Sequence, residues 1–551
     1  MLKGLLVLIC SAFVAIQASA VPFQGHNMLI AGPSPIAAKV GEEVALKGGN
    51  VIDVAVAVGL TLSVTSPYYA ALGGGGFALV KMSKDVEVID FRETAPAATS
   101  PDYYVKKKKK KDASITGGAA VGVPGFPAGL VALHKKYGKL PWKDLFEGAL
   151  RVARKGMRVS GDWARITEKT KDRFSKGGKK HFLAKGKRAL KPGELLKQPA
   201  LAKALSRFRL LKENGFYRGP IAKDIVNTVR ATGGDLTMAD LANYKVRWLK
   251  PIKTKFQGYD IYLMPPPSSG GIVIKQALNL IEKMGLPKME AFSVDELHTL
   301  GQIMNRSFRG RALLGDPDFH KNPLDMLASE SYMKKMAASI KKDKATTLEP
   351  LTLAKLSGES SETTHYSVMD KNGNAIALTV TLNGNYGSAV VSDKYGVALN
   401  NEMDDFTTRP GEPNMFGLIQ GEGNKVEPGK RPLSSMSPTL VVKNGKTYMT
   451  LGSPGGPRII NSVLQVLYRT LVTKMDMDQA IQAPRIHHQF LPNKLFIDRS
   501  KFAPETISGL KARGHEVSPG WMGKVYGVKM NDKGLLEAAY DARGEGGAAG
   551  Y

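Results

Sequence analysis

Cysteine is almost absent: the 551 residues hold one, Cys10. A single thiol excludes a disulfide framework and any cysteine-rich structural zinc site. Long apolar runs are missing beyond the extreme N-terminus, so no later segment reads as a membrane span of ~20 residues. Acidic residues are short, 49 against 78 Lys and Arg, giving a formal charge of +29. Such an excess allows contact with polyanions. Aromatic residues are nevertheless sparse in the basic stretches, which argues against a stacking platform for single-stranded nucleic acid. No G-x-S-x-G elbow and no H-E-x-x-H pair occurs. The nine histidines show no metal-ligand spacing, and His487-His488 would face opposite sides of a strand. What the chain does have is apolar content, 43%, enough for a substantial core.

The N-terminus reads Met1-Leu2-Lys3-Gly4, then an apolar run to Ala18, then Ala18-Ser19-Ala20. A basic start, a short apolar centre and an A-x-A site predict a signal peptide over 1–20. Ile9 is too bulky for lipoprotein processing at Cys10. Cleavage leaves no cysteine, which suits a bacterial periplasm or the extracellular medium. The net charge is +25 over 1–362 and +4 from Thr363 onward. Its densest parts, Lys106 to Lys111 and the stretch 169–197, read as solvated loops.

Residues 33–47 and 51–64, rich in Ala and Val, predict two buried helices separated by Gly48-Gly49. Gly73-Gly74-Gly75-Gly76 precedes a strand, the reverse of a dinucleotide fingerprint, and reads as a tight backbone turn. Strands follow at 77–82 and 86–91. Helical patterns cover 129–156, 197–232 and 272–284, and 341–362 is polar and aperiodic, an exposed flexible segment. Beyond it the pattern turns β. Strands at 364–369 and 375–382 flank Asn372-Gly373, and 439–442 and 447–451 flank Asn444-Gly445. A helix at 459–473 opens after Gly455-Gly456-Pro457, and 526–530 pairs with 535–539. Helices followed by antiparallel strands predict an α+β sandwich with the sheets inside.

The distinctive stretch is Glu362-Thr363-Thr364-His365-Tyr366-Ser367. A polar segment delivers Thr363 to the start of a strand. Cutting the Glu362–Thr363 bond would free an α-amine beside the Thr363 hydroxyl. With a reference pKa of about 7.7–8.0, that amine is partly neutral and can act as a base. This is the N-terminal-threonine form of an activated nucleophile, and the same hydroxyl can first attack the Glu362 carbonyl to make the cut.

Six motifs in order then make the chain resemble the γ-glutamyltransferase (γ-glutamyl transpeptidase) family of N-terminal nucleophile hydrolases. They are Phe91-Arg92-Glu93-Thr94-Ala95-Pro96, Thr363-Thr364-His365-Tyr366-Ser367, Thr379-Val380-Thr381-Leu382-Asn383, Asn400-Asn401-Glu402-Met403-Asp404-Asp405-Phe406, Arg431-Pro432-Leu433-Ser434-Ser435-Met436-Ser437-Pro438-Thr439 and Gly452-Ser453-Pro454-Gly455-Gly456. The resemblance implies a four-layer αββα sandwich and a precursor that cuts itself before Thr363. A large subunit of 21–362 and a small one of 363–551 would stay intertwined as a heterodimer. It further implies acyl transfer from glutathione or another γ-glutamyl amide through a threonine ester to water or to amino acid or peptide acceptors. No cofactor, metal, specific nucleic acid or stable membrane span enters that picture.

A γ-glutamyl group carries a free α-carboxylate and a free α-ammonium. By the resemblance, Arg92 grips the carboxylate with its planar fork, helped by Ser434 and Ser435. Asp405, Glu402 and Asn383 take the ammonium. Gly455 and Gly456 supply oxyanion donors, and Thr381 orients the Thr363 hydroxyl. Family members carry Glu or Gln at position 402. The stretch 413–432 matches a lid loop, with Phe416 where an aromatic, often Tyr, covers the nucleophile. Phe cannot donate a hydrogen bond, so this lid would act by shape and by excluding water. His365 is expected to be structural, and the lysine run at 106–111 has no place in the family pattern. Two other readings stand beside this one. A cephalosporin or glutaryl acylase of the same superfamily would not need the ammonium site that Asp405 and Glu402 offer. A basic, non-catalytic envelope-binding protein would have no reason to cut itself.

Overall fold

A computed structural model describes residues 22–82, 84–349, 363–498 and 500–551. The expected signal peptide, Cys10 and Glu362 lie outside the described residues.

Two seven-stranded sheets form the centre. The first runs Phe23–Gly25, Leu536–Tyr540, Tyr526–Met530, Lys446–Gly452, Thr439–Lys443, Tyr259–Leu263, Ile252–Phe256. The second runs Gly547–Gly550, Met28–Gly32, Thr364–Asp370, Ala375–Thr381, Gly75–Met82, Asp85–Phe91, Arg247–Leu249. Every neighbouring pair in both is antiparallel.

Period-two alternation explains how both faces of the second sheet are covered. Leu29, Ala31, Phe77 and Leu79 enter one core cluster with the first sheet. Their chain neighbours Ile30, Ala78 and Val80 enter another, with the two N-terminal helices. Those helices, Pro35–Leu46 and Val51–Thr65, are where the Ala/Val pattern predicts them, and the second is buried along its whole length. Asn50 and Asp53 close a capping box at its start. On the far side, Gly270–Lys283 and Arg458–Leu471 pack on the first sheet. The order helix, sheet, sheet, helix is the αββα sandwich expected from the sequence.

The four glycines do more than turn the chain. A Cβ on Gly74 would lie 2.1 Å from the Thr381 carbonyl oxygen, and one on Gly76 2.1 Å from that of Thr379. Gly75 and Gly76 open the strand beside Ala375–Thr381, so their bareness sets how closely the catalytic hairpin is packed. The stretch 341–349 also differs from expectation. Rather than floating free, it is held by the helix Val294–Arg309: Arg306 donates to the Ser339 and Thr346 carbonyls, and Arg309 Nε donates to the Glu349 carbonyl at 2.6 Å. Its backbone groups are met by arginines, a contact that periodicity does not register. The lysine run is tied down by buried Tyr103 and Tyr104, and both Lys107 and Lys108 lie 3.1 Å from Asp235. Among the described residues no helix is long and apolar enough to cross a membrane.

Candidate active site

Register places the nucleophile. Thr364 opposes Val380 in the hairpin, so the next pair outward is Thr363 and Thr381 on the face between the sheets. Their hydroxyl oxygens lie 3.0 Å apart. Thr381 Oγ1 also accepts the Asn383 N–H at 2.8 Å, which fixes its position. Asn383 has φ of 70°, a left-handed conformation that Asn tolerates better than most residues. There its side chain donates to the Asn401 carbonyl at 3.0 Å and lines the pocket.

Arg92 emerges at the end of Asp85–Phe91 and is 1% exposed. It ion-pairs with Glu402, donates to Asp405 at 2.6 Å, and donates through Nε to the Pro432 carbonyl at 3.2 Å. Burial opposes its charge, but Glu402, Asp405 and Glu93 outweigh that and hold the guanidinium protonated. The carboxylate-binding and ammonium-binding residues of the expectation therefore meet in one buried cluster and satisfy each other in the closed site. Burial pushes Glu93 and Glu402 upward, and the two carboxyls contact each other. Neither oxygen of Glu93 nor Glu402 Oε2 receives a protein N–H or O–H, so a proton shared between them is the arrangement the burial favours.

Ser434 and Ser435 are fixed from the other half of the chain. Ser434 N–H donates to the Pro267 carbonyl at 2.7 Å, and its carbonyl accepts from Ser269 N–H at 2.9 Å. Ser435 Oγ is buried with no protein partner, and so is Arg311 Nε. Both belong to residues lining the pocket. Gly456 lies beneath the lid: a Cβ there would sit 2.8 Å from Phe416 Cδ1. The helix Arg458–Leu471 begins two residues later, so the amides of this turn stand at a positive helix end. Gly455 is just off the pocket, with its Cβ position 3.1 Å from Trp521 Cζ3.

The pocket thus gathers Arg92, Thr363, Thr381, Asn383, Glu402, Asp405, Phe416, Ser434, Ser435 and Gly456. Sequence reasoning missed Arg311, Leu418, Met436 and Ile459, which line it too. Arg311 donates to Gln420 Oε1 at 3.0 Å, and Gln420 donates to the Asp405 carbonyl at 2.5 Å, so it pins the lid loop. Burial brings Arg311 down to about 10. No motif announces this arginine. The space left inside is about 20 Å³, room for roughly one water. A substrate needs the Phe416 lid to move. His365, one turn of the pleat inward, bonds Thr379 at 2.9 Å and Ser367 at 3.0 Å. Burial lowers it to about 3, so it is a neutral structural imidazole between the sheets. No group of three or more metal-ligating side chains occurs among the described residues.

An αββα sandwich with a threonine at the head of a central strand defines the fold of the N-terminal nucleophile hydrolases. The same fold is seen in cephalosporin acylase from Bacillus halodurans, with a TM-score of 0.85, 24% identity and 99% of both chains covered; at that identity the likeness speaks for the fold alone. The Helicobacter pylori γ-glutamyltranspeptidase structure aligns with a TM-score of 0.56 and 33% identity, over 60% of this chain and 95% of that one.

The γ-glutamyltranspeptidase family model matches residues 37–551, and the chain belongs to that family. It is 40% identical to the glutathione hydrolase proenzyme of Pseudomonas sp. (strain A14), covering 92% of this chain and 89% of the relative. It is also 40% identical to that of Escherichia coli (strain K12), over 95% and 91%.

Proposed function

We propose that this chain is an exported proenzyme that cuts itself before Thr363 and then hydrolyses or transfers γ-glutamyl groups, glutathione being the first donor to test. The observation that carries the reading is the 3.0 Å contact between the Thr363 and Thr381 hydroxyls inside a pocket that also holds Arg92, Glu402, Asp405 and a partnerless Ser435. Relatives named glutathione hydrolase proenzymes support it.

In the mature form the Thr363 α-amine takes the proton of its own hydroxyl as Oγ attacks the γ-carbonyl. Arg92 and the two serines hold the α-carboxylate, and Asp405, Glu402 and Asn383 hold the α-ammonium. The Gly455 and Gly456 amides stabilise the developing oxyanion; one such donor typically contributes ~100- to 1000-fold in rate. The leaving amine departs with a proton from the Thr363 ammonium. Water or a second amine then attacks the γ-glutamyl ester and returns the threonine. Phe416 closes over the ester and limits the access of bulk water. Subunits of 21–362 and 363–551, removal of 1–20 and a periplasmic or secreted location complete the proposal.

The test is intact mass after purification, for wild type and Thr363→Ala, followed by release of nitroaniline from γ-glutamyl-p-nitroanilide. Two fragments dividing before Thr363 in wild type only, with nitroaniline release, are expected. A wild-type chain that stays whole and inactive refutes the reading.

A further inference from the structure

A second cavity adjoins the catalytic pocket. Its volume is about 420 Å³, within the range of small-molecule sites, and its walls include Tyr69, Asp162, Arg165, Asn385, Trp521 and Lys524. Two of these walls are continuous with the catalytic pocket. Trp521 Cζ3 lies 3.1 Å from the Cβ position of Gly455, in the oxyanion turn. Asn385 is two residues beyond Asn383, which lines the catalytic pocket.

The chemistry of this cavity is uneven. Lys524 is 5% exposed, with its ammonium 3.2 Å from Asp162 and 5.5 Å from the centroid of the Tyr69 ring. Arg165 reaches the same Asp162 at 2.9 Å. Burial works against the Asp162 charge, but Lys524 and Arg165 keep it ionised and below its usual range. Arg543, also in the wall, is occupied by Asp498 and Asp541. One carboxylate thus serves two cations, and two aromatic faces stand beside them. A cavity with surplus positive charge, an apolar wall and an opening toward an acyl-enzyme site fits an amine that carries its own carboxylate.

We propose that this cavity is the acceptor subsite, binding a free amino acid or short peptide. The proposal rests on the γ-glutamyl transfer reading. The acceptor carboxylate meets Lys524 and Arg165, its side chain packs on Trp521 and Tyr69, and its amine points past Gly455 toward the ester. The neutral amine attacks the ester carbonyl and forms a C–N bond as the C–Oγ bond of Thr363 breaks. The Thr363 α-amine relays the proton lost by the attacking nitrogen to the departing Oγ. The leaving peptide of the donor would exit through the same cavity in the reverse sense.

The experiment compares glycylglycine with glycylglycinamide, which lacks the carboxylate, as acceptors for γ-glutamyl-p-nitroanilide. Transfer product is quantified by chromatography for wild type, Lys524→Gln and Arg165→Gln. Wild type is expected to prefer glycylglycine in acceptor kcat/KM by tenfold or more, as for a charge-assisted hydrogen bond. Lys524→Gln is expected to bring that preference close to one. Arg165→Gln, whose native side chain is 53% exposed and tolerant of change, lowers it by a smaller factor. Because the readout is a ratio within one preparation, partial misfolding does not imitate the result. Nitroaniline release with equal use of both acceptors by wild type overturns the subsite while sparing the transfer reading. So does an unchanged preference in both variants. No nitroaniline release by wild type overturns the transfer reading and the subsite with it.

Discussion

Arg92→Lys isolates what the guanidinium fork contributes. Arg92 makes three contacts: the ion pair with Glu402, the 2.6 Å bond to Asp405 and the 3.2 Å bond to the Pro432 carbonyl. A lysine keeps the charge but, as a point donor on a thinner stem, cannot make all three together. Each charge-assisted bond contributes about 1.5–3 kcal/mol. If one of them is recovered by the ammonium and one is lost outright, the deficit is about 2–3 kcal/mol. That corresponds to a fall in kcat/KM of about 30- to 150-fold. Arg92→Ala is the poorer test, because it strands two buried carboxylates and costs about 3–5 kcal/mol of stability on its own. The assay is initial-rate hydrolysis of γ-glutamyl-p-nitroanilide beside 4-aminobutanoyl-p-nitroanilide, which lacks the α-carboxylate. The penalty from Arg92→Lys should be large for the first and nearly vanish for the second. Equal penalties for both donors, or activity within threefold of wild type, refute the assignment of Arg92 to the carboxylate.

Ser435→Ala should leave the melting temperature unchanged or slightly raised, since Ser435 Oγ has no protein partner to lose, while donor KM rises about tenfold; calorimetry and steady-state kinetics check both. Thr381→Val removes the hydroxyl 3.0 Å from Thr363 Oγ1 and should slow both self-cleavage and turnover by roughly 100-fold, followed by fragment appearance on gels and by nitroaniline release. Asp404, which accepts from Ser114 Oγ at 2.7 Å and Met415 N–H at 2.9 Å, is pushed by burial from 3.8 up to about 6. Its folded value is raised, so its stabilising contribution is full below about pH 4 and is lost as pH rises through 6, by up to ~3 kcal/mol. Denaturant unfolding at pH 4 and 7 should show Asp404→Asn losing that part of the wild-type slope; an identical slope in both proteins counts against it.

Much of the fold was legible because its signals are local. Asn372-Gly373 and Asn444-Gly445 mark hairpins whose strands alternate cleanly, and the capped Ala/Val helices carry their own start signals. The motif residues also converge on one pocket as the family resemblance implies. What stayed hidden depends on partners far apart in sequence. Arg92 and Glu402 are 310 positions apart, so their mutual ion pair has no local trace. The clamp of Ser269 on Ser434 and the grip of Arg306 on 341–349 are of the same kind. Arg311 follows a helix in an ordinary basic context, and only its placement against Gln420 gives it a role. The glycine run was half readable: a turn is written in its composition, but the carbonyls that press against it are not.

The order of strands in the second sheet has a consequence for the lifetime of the mature protein. Gly547–Gly550 and Thr364–Asp370 flank Met28–Gly32 on either side, so the two prospective subunits alternate within one hydrogen-bonded ladder. In the first sheet Phe23–Gly25 and Tyr259–Leu263 bracket four strands from beyond Thr363. A cut before Thr363 would release no fragment, because the halves are laced together rather than docked. Separation would demand that both ladders be dismantled at once. Once apart, the halves would meet again only by collision, without the tether that made their first folding intramolecular. Such a molecule persists by the height of its unfolding barrier rather than by equilibrium with its unfolded parts. Maturation would then work as a ratchet: the chain folds once as a single string and afterwards endures as a pair that has no easy road back.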